Sequence, residues 1–236
     1  MKKILILFGH PRFEKSRINR TLLAALSGSV YITINDLYEL YPDFNIDISY
    51  EQDLLTRHDI VIWQHPLYMY SAPALIKQWI DMVLEFGWAH GSGAENLTGK
   101  IVFNTVTAGG TKESYARDGF NCYTMQEFLY PFEQTAKLCG MHYLPPFAVQ
   151  GTYRLTDKEL EAHAAEYLGL LERLAGQDFI TPSPQSSSPQ RWTLPRGGEE
   201  KKEEGSTARE GETLEEILRY PYLNDWLRIK QGAETP

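Results

Sequence analysis

Short apolar segments alternate with amphipathic patterns along the first three quarters of this chain. Segments rich in β-branched or aromatic residues, each followed by turn-forming residues, predict strands at 4–8, 30–35, 60–64, 101–107 and 142–149. Helical spacing of apolar residues predicts helices at 18–26, 74–86, 124–139 and 157–175. Strands that alternate with helices form a parallel sheet with helices on both faces, because each crossover is right-handed. The sequence therefore predicts an α/β domain at residues 1–176.

Five strands connected in this way predict a specific topology. Their order along the chain is typical of the flavodoxin-like fold, a three-layer sandwich whose parallel sheet has the strand order 2-1-3-4-5. In such a sheet, ligands bind beyond the carboxyl ends of the strands, near the point where the strand order reverses. Candidate functional residues are therefore sought in the loops that follow the strands.

The composition changes at residue 177. Residues 177–212 are rich in Ser, Pro, Gly, Glu and Lys and lack the apolar content that offsets ordering entropy, which predicts a flexible, disordered linker. Residues 213–236 begin with a capping box, Thr213 and Glu216, and carry apolar residues on one helical face, which predicts a short amphipathic segment. This segment either packs on its own domain or contacts a partner protein.

Charge and composition exclude several classes of partner. The net charge of −8 argues against binding to nucleic acid or to anionic lipid. No run approaches the roughly 18 to 20 apolar residues of a membrane span, so we expect no direct membrane insertion. The two cysteines, Cys122 and Cys139, form no C-x-x-C motif and fit a reducing cytoplasm.

The first strand leads into a loop that suits an anion. Residues 2–19, KKILILFGHPRFEKSRIN, run from a buried strand through Gly-His-Pro to a helix start. The first turn of a helix has unpaired N–H groups and the positive end of the helix dipole, so it favours the binding of a phosphate. Ser16 adds a hydroxyl and Arg17 a cation. Neither the dinucleotide fingerprint nor the P-loop motif is present, which favours a mononucleotide phosphate.

Two further strand ends carry unusual loops. Residues 65–73, HPLYMYSAP, offer two tyrosine rings between prolines that restrict the backbone. Residues 107–111, TAGGT, contain two glycines that allow main-chain N–H groups to approach a ligand closely. A phosphate pocket, an aromatic wall and an amide-lined edge together match FMN, which has an anionic phosphate, a flat apolar ring and a pyrimidine edge that gains negative charge on reduction.

Other kinds of site find little support. His10 and His65 follow neighbouring strands, but no carboxylate or thiol at ligand spacing joins them, so we predict no metal site. A hydrolase would require a G-x-S-x-G elbow, which is absent. Asp43, Asp47 and Glu51 form an acidic cluster that we interpret as a solvated structural or partner-facing loop rather than a calcium site.

Four segments also resemble a known family. They are YPDFNIDI (41–48), WQHPLYMYSAPALIKQWID (63–81), TAGGTKESY (107–115) and LCGMHYLPPF (138–147). They resemble the flavodoxin-fold NAD(P)H:quinone reductases, and within these the small bacterial flavoproteins that act as ancillary subunits of Kef-type glutathione-regulated potassium-efflux systems. The resemblance covers residues 1–175 and does not extend to the tail.

The resemblance implies a homodimer that binds FMN and reduces quinones, or similar small electrophiles, with two electrons from NAD(P)H in a ping-pong cycle. It places the phosphate at residues 16–19, the ring between His10 and residues 67–70, and the pyrimidine edge at residues 107–110. The implied cofactor-binding residues are His10, Ser16, Arg17, Ile18, Asn19, Leu67, Tyr68, Met69, Tyr70, Thr107, Ala108, Gly109 and Gly110. Tyr115 falls at the position of the catalytic tyrosine that relieves charge on the reduced ring.

The chain departs from the family pattern at two places. Ala108 stands where related reductases commonly have a threonine, and residues 119–121, Gly-Phe-Asn, stand where they have a histidine. Two functions therefore remain open. One is a cytoplasmic FMN-dependent NAD(P)H:quinone oxidoreductase. The other is a non-catalytic regulatory subunit that docks on the cytoplasmic domain of a potassium-efflux transporter at the inner membrane, with flavin as structural support or redox sensor.

Overall fold

The computed structural model describes residues 1–176, to which the structural statements below refer. The predicted linker 177–212 and amphipathic segment 213–236 lie outside these residues. One sheet of six parallel strands forms the centre of the described part. Its strands are β1 Ile4–Phe8, β2 Ile32–Asp36, β3 Ile60–Pro66, β4 Ile101–Thr107, β5 His142–Tyr143 and β6 Phe147–Val149.

The strand order confirms the predicted topology. The sheet runs β2-β1-β3-β4-β5, and β6 also pairs with β4. The predicted strand 142–149 is thus two short strands that both pair with β4. Pro145 and Pro146 lie between them, and because proline has no N–H to donate, they interrupt the ladder.

Seven α-helices occur within residues 1–176. They are α1 Arg17–Ala25, α2 Leu37–Leu40, α3 Ile48–Arg57, α4 Ala74–Val83, α5 Met125–Phe128, α6 Tyr130–Leu138 and α7 Asp157–Gly176. The predicted helix 124–139 is divided into α5 and α6 at Leu129, which precedes Tyr130-Pro131. The sequence analysis did not predict α2 and α3. No helix in the described residues has the length and apolar character needed to cross a membrane.

The helices cover both faces of the sheet. On one face, α3, α4 and α6 enclose a core cluster that includes Leu5, Leu7, Trp63, Trp79 and Phe132. On the other face, α1 packs against α7. β1 lies between β2 and β3, and all five of its side chains are completely buried. The alternate residues of β1 therefore face the two helical layers, which explains why its sequence is uniformly apolar.

The acidic cluster at residues 43–51 has structural roles, and the interpretation of Glu51 as part of a solvated loop is wrong. Asp43 accepts a hydrogen bond from the Asn45 N–H, and Asp47 caps the amino end of α3. Glu51 lies on α3 with its side chain completely buried. Because α3 extends over residues 48–57, Glu51 faces the core rather than solvent.

Neutral donors surround the buried Glu51 carboxylate. Asn35 on β2 donates to both of its oxygens at 2.9 Å, the Tyr41 hydroxyl donates at 2.7 Å and the Trp79 indole N–H donates at 2.8 Å. These donors come from β2, from the loop that follows α2 and from α4. The carboxylate thus joins three separate segments at the edge of the sheet. Each donor requires it as an acceptor, because a buried donor without a partner lowers the stability of the folded state.

We expect Glu51→Ala to lower the free energy of unfolding by about 3 kcal/mol or more, because three buried donors lose their acceptor. The matched control on the same helix is Asp53→Ala, which removes an exposed ion pair with Arg57. An exposed pair contributes about 0–1 kcal/mol, so the control should change little. Urea unfolding of both variants makes the comparison, and equal losses would contradict this role of Glu51.

Candidate functional site

The three strand-end loops singled out in the sequence meet at the carboxyl ends of β1, β3 and β4. The rings of His10 and Tyr68 lie in edge-to-face contact, with centroids 5.9 Å apart. The Asn19 side chain donates to the Thr107 hydroxyl at 3.1 Å, and the Leu67 N–H donates to the Thr107 carbonyl at 2.8 Å. Each loop therefore contacts the other two.

The start of α1 presents unpaired donors. Ser16 is the N-cap residue, and its hydroxyl accepts from the Asn19 N–H at 3.3 Å. The N–H groups of Arg17 and Ile18 make no hydrogen bond within residues 1–176. These two donors and the positive end of the helix dipole fit an anionic group such as a phosphate.

The Arg17 side chain forms an ion pair at the surface. Its guanidinium donates to Asp157 at 2.6 Å and to the Leu155 carbonyl at 3.4 Å. It therefore connects the start of α1 to the start of α7. The Arg17 backbone N–H remains an unpaired donor at the start of α1 within residues 1–176.

The second loop has a constrained backbone. Tyr68 and Ser71 exchange hydrogen bonds at 2.9 and 3.0 Å, which closes a two-residue turn. Both central residues are left-handed, with φ of 46° at Met69 and 67° at Tyr70. Such turns usually use Asn-Gly, and each bulky residue in this region costs about 1–3 kcal/mol. The turn holds the Met69 side chain almost entirely in solvent and turns the Tyr70 ring onto Phe128, with centroids 5.1 Å apart.

His10 forms one side of this loop cluster. Its side chain is buried, and its Nδ1 accepts from the Arg12 N–H at 3.0 Å. Burial lowers the pKa of the imidazole, so the ring is neutral near pH 7 and carries its proton on Nε2. A neutral, flat ring beside Tyr68 suits contact with an apolar aromatic ligand.

The third loop offers a further pair of unpaired amides. The Ala108 N–H donates to the Val149 carbonyl and continues the sheet, whereas the N–H groups of Gly109 and Gly110 have no partner among the described residues. Two rings lie against these glycines. A β-carbon at Gly109 would come 2.4 Å from Tyr153, and one at Gly110 would come 2.9 Å from Tyr115. A larger residue at either position would therefore displace the tyrosine ring that lies against it.

Tyr115 lies at this edge with a protonated phenol. Burial raises the pKa of its hydroxyl, so that it remains a donor at neutral pH. Its ring packs edge-on against Phe128, with centroids 5.9 Å apart, and Tyr123 contacts the same phenylalanine at 5.8 Å. Phe128 thus supports Tyr70 and Tyr115, although these come from different loops.

Sequence reasoning missed several residues of this site. Tyr153, which covers Gly109, follows the last strand, so the rule that ligand loops follow strands applies to it as well. Phe128 lies on α5 and no local motif marks it. Gln64 and Tyr167 are completely buried and hydrogen-bond to the site from β3 and α7. In the described part of the chain, no three His, Cys, Asp or Glu side chains are grouped as metal ligands.

His65 supports the second loop from below. It is completely buried, its Nδ1–H donates to the Pro66 carbonyl at 3.0 Å, and its Nε2 accepts from the Asn104 amide at 3.0 Å. Its ring stacks on Phe132, with centroids 5.3 Å apart. Burial lowers its pKa to about 4, so the histidine is a neutral structural group and both of its nitrogens have partners.

His65 should make the stability of the protein depend on pH. Its folded pKa lies below its ordinary value of 6.5, so the unfolded chain takes up the proton first as the pH falls. The free energy of unfolding therefore decreases between pH 6.5 and pH 4, and His65 contributes about 2 kcal/mol of decrease from pH 7 to pH 5. We expect His65→Gln to show a correspondingly smaller decrease in urea unfolding. Equal decreases in both proteins would contradict this role.

Comparison with known proteins agrees with this architecture. The family model described as "Flavodoxin-like fold" matches residues 2–171. The glutathione-regulated potassium-efflux system ancillary protein KefG of Yersinia enterocolitica is 44% identical over 170 residues, which are 72% of this chain and 92% of the relative.

Two solved structures extend the comparison. General stress protein 14 from Treponema denticola, solved in complex with FMN, has a TM-score of 0.70 at 37% identity and covers 73% of this chain and 99% of its own. An NADPH-quinone reductase from P. pentosaceus has a TM-score of 0.67 at 29% identity and covers 75% and 99%. The chain therefore belongs to the flavodoxin-like-fold family and is a homologue of the KefG ancillary proteins.

Proposed function

We propose that this protein binds FMN at the three strand-end loops and transfers hydride from NAD(P)H to a quinone or a similar small electrophile. The observation that carries the proposal is the set of unpaired N–H donors at the start of α1 and at Gly109 and Gly110, joined by an aromatic loop. The donors at α1 fit the phosphate of FMN, those at Gly109 and Gly110 fit its pyrimidine edge, and the aromatic loop fits its ring. The solved relative with FMN and the NADPH-quinone reductase support the same assignment.

Each loop has a separate task in this proposal. Ser16 and the unpaired N–H groups of Arg17 and Ile18 surround the phosphate, and the Asn19 side chain lies beside them. His10, Leu67, Tyr68, Met69 and Tyr70 line the ring. Thr107, Ala108, Gly109 and Gly110 form the polar edge. FMN, when bound, supplies an acceptor and then a donor of two electrons.

The chain's own residues orient the reactants and stabilise charge. The Gly109 and Gly110 amides are fixed donors, so they favour negative charge at the ligand edge without reorganisation. The Tyr115 phenol is protonated and packs against Gly110, where it can hold a proton near that edge. Over the whole cycle, NAD(P)H, a proton and a quinone become NAD(P)⁺ and a hydroquinone. NAD(P)H and the quinone occupy the same site one after the other, which gives a ping-pong sequence.

The first test is made on the purified full chain. We expect a yellow protein that releases FMN, at about one per chain, on denaturation, and that oxidises NAD(P)H faster when a quinone is added. FAD or no chromophore would contradict the cofactor assignment. FMN without quinone-stimulated turnover would contradict the enzymatic role.

The role of Tyr115 is tested against a matched tyrosine. Tyr115→Phe should lower kcat by about 10-fold or more, because loss of a positioned proton donor slows the step that it assists. Tyr123→Phe removes the hydroxyl of an exposed tyrosine that also packs on Phe128, and it should leave kcat unchanged. Equal rates in the two variants would restrict Tyr115 to a packing role.

A second function is favoured by the KefG relatives, which are named as ancillary proteins of a potassium-efflux system. In this proposal, a homodimer docks on the cytoplasmic domain of an efflux transporter and shifts its gating, with flavin as structural support or redox sensor. Such regulation requires different affinities for the two states of the transporter. It is compatible with turnover and would hold the protein at the inner membrane.

Capture on an immobilised transporter domain tests this second function. We expect the full chain to be retained, and failure to bind would contradict the regulatory role. A chain lacking residues 177–236 shows whether the tail contributes, since equal retention would assign docking to residues 1–176 alone.

A further inference from the structure

A chain of buried polar side chains connects α7 to the anion site. The Tyr167 hydroxyl donates to Gln64 Oε1 at 3.0 Å, and Gln64 Nε2 donates to Asn19 Oδ1 at 3.2 Å. Asn19 Nδ2 then donates to Ser16 Oγ at 3.0 Å and to Thr107 Oγ1 at 3.1 Å. The side chains of Tyr167, Gln64 and Asn19 are completely buried, so water does not compete for these bonds.

The hydrogen bonds of this chain run in one direction. Burial raises the pKa of Tyr167, so its hydroxyl keeps its proton, and in the structure this hydroxyl donates a hydrogen bond to Gln64 Oε1. The Gln64 amide nitrogen must then face Asn19, which places the Asn19 oxygen toward Gln64. Flipping one amide alone would bring two NH₂ groups or two carbonyl oxygens together. The Asn19 amide nitrogen is therefore directed at the two hydroxyls.

Both hydroxyls are left with a proton to donate. Ser16 Oγ accepts twice from Asn19, through its N–H and through Nδ2, and Thr107 Oγ1 accepts once. Neither hydroxyl donates a hydrogen bond within residues 1–176. Since each oxygen lies about 3 Å from the same nitrogen, the two hydroxyls are at most about 6 Å apart. They therefore serve one end of a ligand rather than its two ends.

We infer that Asn19, Gln64 and Tyr167 are positioning residues that make the Ser16 and Thr107 hydroxyls donors toward a phosphate and the adjoining polyol chain. This inference rests on the proposed FMN site and gives it selectivity, because a phosphate only accepts hydrogen bonds. A flavin without phosphate gains less from the same donors. The buried chain thus selects FMN over riboflavin.

Two variants test the inference in the full chain. Tyr167→Phe removes one oxygen and frees the Gln64 and Asn19 amides to reverse, and we expect FMN affinity to fall by about 5-fold. Asn19→Asp replaces the amide donor by a carboxylate, which accepts hydrogen bonds from the Ser16 and Thr107 hydroxyls. The hydroxyls then no longer donate to the phosphate, and the carboxylate repels the phosphate charge. We expect it to lower FMN affinity by about 100-fold. Riboflavin affinity should change by less than about 3-fold in Tyr167→Phe, so the preference for FMN decreases.

The control separates positioning from general destabilisation. Thr33 lies near the amino end of β2, away from the carboxyl ends of the strands, and its hydroxyl hydrogen-bonds to His58. Thr33→Val removes this hydroxyl, so it should lower thermal stability without changing the FMN preference. Each protein is loaded with FMN or with riboflavin, and release on dilution is followed by flavin fluorescence. Circular dichroism establishes folding, and if Asn19→Asp does not fold, Tyr167→Phe decides the outcome.

The outcomes distinguish the inference from the function on which it rests. A wild-type chain that prefers FMN, with variants that keep the same preference, would overturn the inference and leave the FMN site standing. A wild-type chain that holds neither flavin would overturn the proposed function and the inference with it. A reduced preference in Tyr167→Phe that the destabilised Thr33→Val control does not show supports the positioning role.

Discussion

The burial of β1 is the constraint on which the rest of the structure depends. Its five apolar side chains are completely buried between two layers of helices, and its backbone pairs with β2 and β3 on either side. A strand so enclosed has one position in the sheet, and it delivers the Gly9-His10 loop to the centre of the carboxyl edge. The unpaired donors at the start of α1 lie at the same edge because the connection from β1 to α1 is short.

Polar groups inside this apolar frame fix the loops relative to one another. Asn19 joins the first loop to Thr107 in the third, His65 holds the Pro66 carbonyl beneath the second, and Glu51 secures the edge between β2 and α4. Each buried polar group has several partners, so moving one loop would leave donors or acceptors unsatisfied. The site is therefore held by hydrogen bonds whose loss would be costly, while its exposed rim of aromatic rings remains accessible to ligands.

Much of this arrangement could be predicted from the sequence. The bounds of β1 and β4 are those expected, because ILILF is uniformly apolar, IVFNTVT is apolar or β-branched except for Asn104, and both end at turn residues. The strand order, and the meeting of the three candidate loops at one edge of the sheet, follow from the alternation of strands and helices. The division of residues 124–139 into two helices and the helix at 48–57 were missed. In the second case, polar residues such as Glu51 and Gln52 face inward and obscure the apolar periodicity.

The sequence by itself determined the fold class, the topology and which loops lie at the carboxyl edge of the sheet, because these depend on local patterns of apolar residues and turns. Only the tertiary structure decided what individual side chains do there. Arg17 pairs with Asp157, Tyr153 covers Gly109, and Tyr167 is connected to Asn19 by hydrogen bonds through Gln64. These partners are separated by 44 to 140 residues along the chain, and no local pattern encodes contacts between residues that only the folded sheet brings together.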